Sequence, residues 1–190
     1  MMFKGTTIIV AAISAGLLSA TAQANWTLNQ EESSIYFATV KNATTSEVHQ
    51  FKMLGGEITE GGKASLVIKL ASVDTANPIR DERMQKQLFE TDKYPDATVS
   101  VDLGSEGVKV GSQMLTATLN LHGVDKEIST QVFVEQDGKS IKVSSLAPLV
   151  ISAPDFSLDK GIEALRSLAA LTSINLTVPV TFRLVYDMQK

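Results

Sequence analysis

The sequence predicts an all-β fold: an antiparallel barrel of about eight strands with two short helical inserts near the barrel ends. Three observations carry this. Alternating apolar and polar residues recur from Ser34 to Tyr186, compact turns separate the runs, and the two helical patterns do not follow a βαβ rhythm. So many alternating strands would present long sticky edges unless the sheet closes on itself. A two-sheet sandwich is compatible with the same pattern.

Ser34–Lys41 reads as a strand with Ile35 and Phe37 on one face. Glu47–Ile58 is extended, with Gly55-Gly56 expected to mark a bulge or bend. Ala64–Val73 places Leu66, Ile68 and Leu70 together, and Ala97–Leu103 does the same for Val99, Val101 and Leu103. Gln113–His122 aligns Leu115, Ala117, Leu119 and Leu121, while Lys126–Gln136 aligns Ile128, Val132 and Val134. The turns His122-Gly123-Val124-Asp125 and Gln136-Asp137-Gly138-Lys139 join these two runs and Ser140–Ser152 into a meander. The longest alternation is Ile174–Tyr186. Phe182, Leu184 and Tyr186 share the apolar face, whereas Pro179 and Val185 fall on the wet one, with Pro179 implying an edge or a bulge.

Two segments have helical spacing instead. In Asn77–Phe89, Asn77 is a good N-cap, Pro78 suits the first helical position, and Met84 and Leu88 share a face. Lys160–Ala170 follows Asp159 as its expected cap, with Ile162, Leu165, Leu168 and Ala169 as its apolar stripe.

Residues 1–24 form a separate unit. Lys4, the apolar run Ile8–Leu18 and the small-x-small sequence Ala22-Gln23-Ala24 have the order of a cleaved secretory signal peptide. The remaining residues, 25–190, are expected to form a single barrel domain in the periplasm, not spanning the membrane. No Cys follows the expected cleavage site, so a lipoprotein anchor is excluded.

Only Lys4 of the 17 basic residues falls in that unit, so 16 remain against 21 acidic ones, a net charge of −5 without any block of one sign. That balance argues against nucleic acid as a partner. The chain has no Cys, which removes thiolate metal sites, haem attachment and thiol catalysis, and its two His cannot form a multi-histidine metal centre. Neither His49 nor His122 is accompanied by a nucleophile, metal or phosphate-loop motif. No catalytic residue, metal or cofactor is therefore assigned, and the chain is not read as an enzyme. Arg80-Asp81-Glu82-Arg83 is a dense charge cluster at a helix start. It serves either to cap and pin the helix or, through Arg80, to meet a polar or phosphorylated head group.

Several segments together resemble the YceI-like family of exported bacterial proteins. Trp26-Thr27-Leu28 followed by Ser33–Phe37 is similar to its opening strands, with Phe51, Gly56 and Ile58 fitting the next. Ser72–Thr75, Asn77–Asp81 and Leu88–Ala97 resemble its most distinctive stretch, Leu121–Lys126 a later hairpin, and Asp155–Leu158 the segment before the last strand. Ser157 and Pro154 depart from the Gly and Arg often found at those places, and Val40–Leu54 diverges.

The resemblance implies a lipocalin-like barrel that binds a hydrophobic small molecule, an isoprenoid lipid or quinone, for sequestration or transport. Relatives of this type can pair, which leaves a homodimer open. The expected lining is Ile35, Phe37, Phe51, Ile68, Met84, Leu88, Phe89, Leu119, Phe156, Leu165, Leu168 and Phe182. The alternative is a barrel packed solid, acting as an interaction or stress module without a ligand.

Overall fold

The computed structural model describes residues 24–189, with side chains from Trp26 onward. The expected signal segment lies outside the described residues except for Ala24, which opens the first strand. No helix among the described residues is long and apolar enough to cross a membrane.

Twelve strands form one antiparallel sheet: β1 (Ala24–Leu28), β2 (Ser34–Lys41), β3 (Thr45–Phe51), β4 (Leu54–Thr59), β5 (Lys63–Lys69), β6 (Val73–Asp74), β7 (Asp96–Asp102), β8 (Gly111–Leu121), β9 (Val124–Gln136), β10 (Ser140–Ser145), β11 (Leu149–Ser152) and β12 (Thr177–Met188). The order β1-β4-β5-β7-β8-β9-β10-β12 returns to β1 through Trp26 opposite Met188 and Leu28 opposite Tyr186, which closes an eight-strand barrel. Closure leaves that ring without a free edge.

The strand count exceeds eight because long strands are broken as they bend round the barrel. β12 is flanked on one side by β10 and then β11, and on the other by β1 and then β2. Between β1 and β2, the turn at Asn29–Ser33 bulges alongside β12 at Val185. The Asn29 and Val185 amides take part there, with Val185 N donating to Ser33 Oγ at 2.9 Å. Val185, expected on the wet face, is buried at that bulge.

The break between β3 and β4 falls at Lys52-Met53 rather than at Gly55-Gly56. Gly56 is required for another reason: a Cβ there would overlap the Ser65 carbonyl oxygen of β5. Pro179 stands where the β2 ladder stops at Val180, resuming only at an out-of-register bridge between Lys41 and Ile174. Ala64–Val73 is not one strand, because a turn of 3₁₀-helix at Leu70–Ser72 ends β5 before β6 begins.

The first helical insert is α1 (Pro78–Arg83), continued by a π-helical turn over Met84–Phe89. Asn77 Oδ1 accepts from the amides of Ile79 at 3.1 Å and Arg80 at 3.2 Å, and Pro78 occupies the first turn. The π turn ends on Glu90, whose left-handed backbone (φ 48°) stops the helix. Within it, Met84, Leu88 and Phe89 are buried.

The second insert, α2 (Asp159–Leu168), begins from Leu158 without a side-chain cap, and Asp159 lies in the first turn instead. The two inserts pack on each other at the barrel end where β7 and β12 begin. Gly161 makes that contact, since a Cβ there would lie 2.7 Å from the Gln87 carbonyl oxygen and 2.8 Å from Leu88 Cα.

Candidate functional site: an apolar cavity with a polar end

The inward faces of the strands do not meet. They enclose a cavity of about 760 Å³, within the size range of small-molecule sites. Its walls are the alternate residues that period-two spacing sends inward. Phe37 and Phe51 lie 5.3 Å apart between ring centroids, and Phe51 and Phe89 lie 5.8 Å apart, joining β2 and β3 to the π turn.

Ten of the twelve expected lining residues border this cavity. Ile35 and Phe37 come from β2, Phe51 from β3, Ile68 from β5, Leu119 from β8 and Phe182 from β12. The π turn adds Met84, Leu88 and Phe89, and α2 adds Leu165.

Phe156 and Leu168 do not border it. Phe156 sits in the 3₁₀ turn Ala153–Phe156 and is 2% exposed, so it packs within the core without reaching the lumen. Leu168 is 51% exposed. The stripe of α2 that faces inward is Leu158, Ile162, Leu165 and Ala169, and Leu168 stands one helical step of about 100° off it.

The end covered by the helices carries a polar cluster on its α1 side. Thr39, Lys41, Glu47, His49, Asn77, Arg80 and Arg83 all border the cavity there. Thr39 and Lys41 continue the inward face of Ile35 and Phe37 along β2, and Glu47 and His49 share the face of Phe51 on β3. The asparagine cap fixes the first turn of α1 and so aims Arg80 at this cluster.

Arg80 Nη1 donates to Glu47 Oε2 at 2.7 Å and Nη2 to the Thr75 carbonyl oxygen at 2.6 Å. Lys41 Nζ reaches the same Glu47 oxygen at 2.9 Å. The Lys41 hydrogen bond, then the charges of Arg80 and Lys41, hold the Glu47 carboxyl below the usual glutamate range. Asp81 faces away from the lumen: its Oδ1 accepts from the Thr75 amide at 2.9 Å and from the Thr75 hydroxyl at 2.5 Å.

His49 is 5% exposed, with Nε2 3.1 Å from Thr39 Oγ1 and its ring edge-on to Phe37. Burial, followed by the neighbouring charge of Arg80, lowers its pKa below the ordinary histidine value. His49 Nδ1 and Arg80 Nε are buried without a hydrogen-bond partner. His122 lies apart, bonded to Glu90 at 2.8 Å, with its ring tilted against Tyr94 at 4.3 Å between centroids.

The charge cluster that begins at Arg80 therefore divides between two tasks. Asp81 secures the β6–α1 connection, Glu82 pairs with Lys86 on the outside at 2.6 Å, and Arg80 and Arg83 border the lumen. No group of three or more His, Asp or Glu among the described residues is arranged to hold a metal.

The family model of the YceI-like domain matches residues 26–186. The chain belongs to the YceI-like family. A polyisoprenoid binding domain from Saccharophagus degradans, implicated in plant cell wall breakdown, is 40% identical with a TM-score of 0.83. The match covers 88% of this chain and 100% of that one. BcnA from Burkholderia cenocepacia is 20% identical with a TM-score of 0.66, over 83% of this chain and 98% of that one, a likeness of fold. A comparison with curated proteins gives no match. As a YceI-like protein, the chain keeps the inward apolar face of the barrel open and places charged side chains at only part of its wall.

Proposed function

We propose that this chain is an exported, periplasmic binding protein that sequesters or carries an isoprenoid chain, a polyprenyl lipid or a quinone tail, in its barrel interior. The cavity of about 760 Å³ carries this reading, because its greasy walls stand apart instead of filling the lumen. The relative from Saccharophagus degradans, a polyisoprenoid binding domain with the same fold, supports the class of guest. The N-terminal segment read as a signal peptide supports the location. A solid-core interaction module is disfavoured by the same cavity.

Burial supplies the driving force. About 500 Å² of prenyl surface at ~25 cal/mol/Å² corresponds to ~12 kcal/mol before association and ordering costs. A flexible residue such as Met84 lets the wall adapt to the chain. No covalent step is needed: the guest is held by exclusion from water, and Arg80 stands where a polar end would lodge.

Native mass spectrometry of protein freshly purified from its own exported form tests the proposal. A retained mass that organic solvent extracts, with the fragmentation of a prenyl chain, is expected. Apo protein that also takes up no prenyl alcohol or quinone would overturn it.

A further inference from the structure

We infer that the rim where the cavity opens beside α1 and α2 is a membrane-docking surface, and that its occupant is a phospholipid bilayer containing anionic lipid. This rests on the carrier reading above and adds the route by which the guest enters.

The rim is apolar at its tips. Ile79, in the first turn of α1, is 64% exposed, and Leu168 is exposed at the end of α2. Arg83 links the two. It follows Ile79 by one helical turn on the same face of α1, and its Nη1 donates to the Leu168 carbonyl oxygen at 3.4 Å. Ile79 and Ala169 are both exposed and both border the cavity, so the lumen reaches solvent between α1 and the end of α2. A lone exposed aliphatic side chain is ordinary, but these two flank the opening of an apolar cavity. Leu168 takes no part in the cavity wall, so guest binding alone does not account for it.

The surface around the tips is uncharged. Residues 42–46, 75–79 and 167–173 contain no acidic or basic side chain, in a chain that is 20% charged. These three segments meet at this end. The Thr172 amide and hydroxyl both donate to Asn42 Oδ1 at 2.9 Å, and Arg80 bridges the Thr75 carbonyl oxygen and Glu47.

The charges set behind this rim are mainly positive. Lys41, Arg80 and Arg83 stand there against Glu47 and Asp81, and both acids are already bonded within the protein. The whole chain has the opposite balance, with 17 basic residues against 21 acidic ones. Aliphatic tips, an uncharged skirt and cations further back match an acyl layer lying beneath a layer of lipid phosphates. With the mouth seated there, a prenyl chain or quinone tail passes from the acyl layer into the lumen without crossing water.

The test floats the delipidated protein with vesicles of phosphatidylethanolamine and phosphatidylglycerol, and with vesicles of phosphatidylcholine alone. Binding to the first, weakened by salt, and weaker binding to the second are expected. Leu168→Glu should lower affinity for the first by roughly tenfold, the scale of one leucine side chain returned to water. Ile79→Ser, at the other tip, should lower it too, whereas Met114→Glu, at an exposed position on β8, should not. Retinol, an intrinsically fluorescent isoprenoid, supplies a second readout. Leu168→Glu should slow its transfer from vesicles and leave its uptake from solution unchanged, because Leu168 lies off the lumen.

Absence of vesicle binding, or an equal loss in Met114→Glu, would overturn the docking surface, while retinol uptake from solution would keep the carrier reading. Vesicle binding that Leu168→Glu weakens, with no retinol taken up by either route, would support the surface and count against the carrier. A dimer that Leu168→Glu dissociates, without vesicle binding, would assign the rim to a second copy of the chain and overturn the proposal.

Discussion

The Tyr186 hydroxyl donates to the Ser65 carbonyl oxygen at 3.0 Å, so a side chain of β12 ties down β5, with β1 and β4 lying between them in the sheet. Burial pushes the phenol well above its ordinary pKa, which keeps the proton available for donation. The bond braces the wall while Tyr186 itself borders the cavity.

Tyr186→Phe removes that donor and leaves a carbonyl less well satisfied. A loss of about 1 kcal/mol in stability is expected, from one net hydrogen bond. Urea denaturation should show a lower midpoint with an unchanged slope, since the fold and the surface it buries stay the same.

Leu119→Trp should block uptake of a prenyl chain while the far-ultraviolet circular dichroism remains β-type. Leu119 is 6% exposed and borders the cavity from β8, so an indole there extends into the empty volume. Displacement of an apolar fluorescent probe checks this. Unchanged affinity would place the guest elsewhere.

Gly161→Ala should destabilise the helix-covered end. The new methyl meets backbone at Gln87 and Leu88, which cannot yield as a flexible side chain would. Overpacking of this kind costs about 1–3 kcal/mol, which exceeds the ~1 kcal/mol that Ala contributes over Gly in a helix. Faster guest release, measured by stopped-flow displacement, should accompany the lower stability.

His49 makes stability fall as pH drops. Burial depresses its pKa in the folded protein, so below the ordinary value of about 6.5 the unfolded chain takes up a proton that the folded one refuses. The contribution is present above that value and is lost as pH falls toward and through the depressed folded value. His49→Gln should flatten this part of the stability profile, measured as the difference in urea midpoint between wild type and variant across pH 7 to about 5. A parallel profile in the variant would contradict the assignment.

Most of the barrel was legible because inward residues repeat every second position whatever their partners are. Leu66, Ile68, Leu119 and Phe182 face the lumen for that reason. Breaks in the strands were less legible: the 3₁₀ turn at Leu70–Ser72 and the bulge beside Val185 depend on contacts between distant segments, which alternation does not encode. Leu168 was misplaced because a ten-residue helix offers several overlapping apolar stripes, and packing against the π turn selects the one through Ile162, Leu165 and Ala169. The polar cluster had a readable signal. Thr39 and Lys41 are in step with Ile35 and Phe37, and Glu47 and His49 with Phe51, yet polar residues on an apolar face do not by themselves announce that they border a cavity. Arg80 stood out as a charge at a helix start and a candidate for a polar head group, but its link to Glu47 spans 33 residues of chain and was not legible.

The central claim is that the barrel encloses open, apolar space able to take one long chain. Calorimetric titration of the delipidated protein with geranylgeraniol or its phosphate tests this most directly. One guest per chain with a negative heat-capacity change is the predicted result. No saturable binding of either guest would contradict it, as would binding with no heat-capacity change.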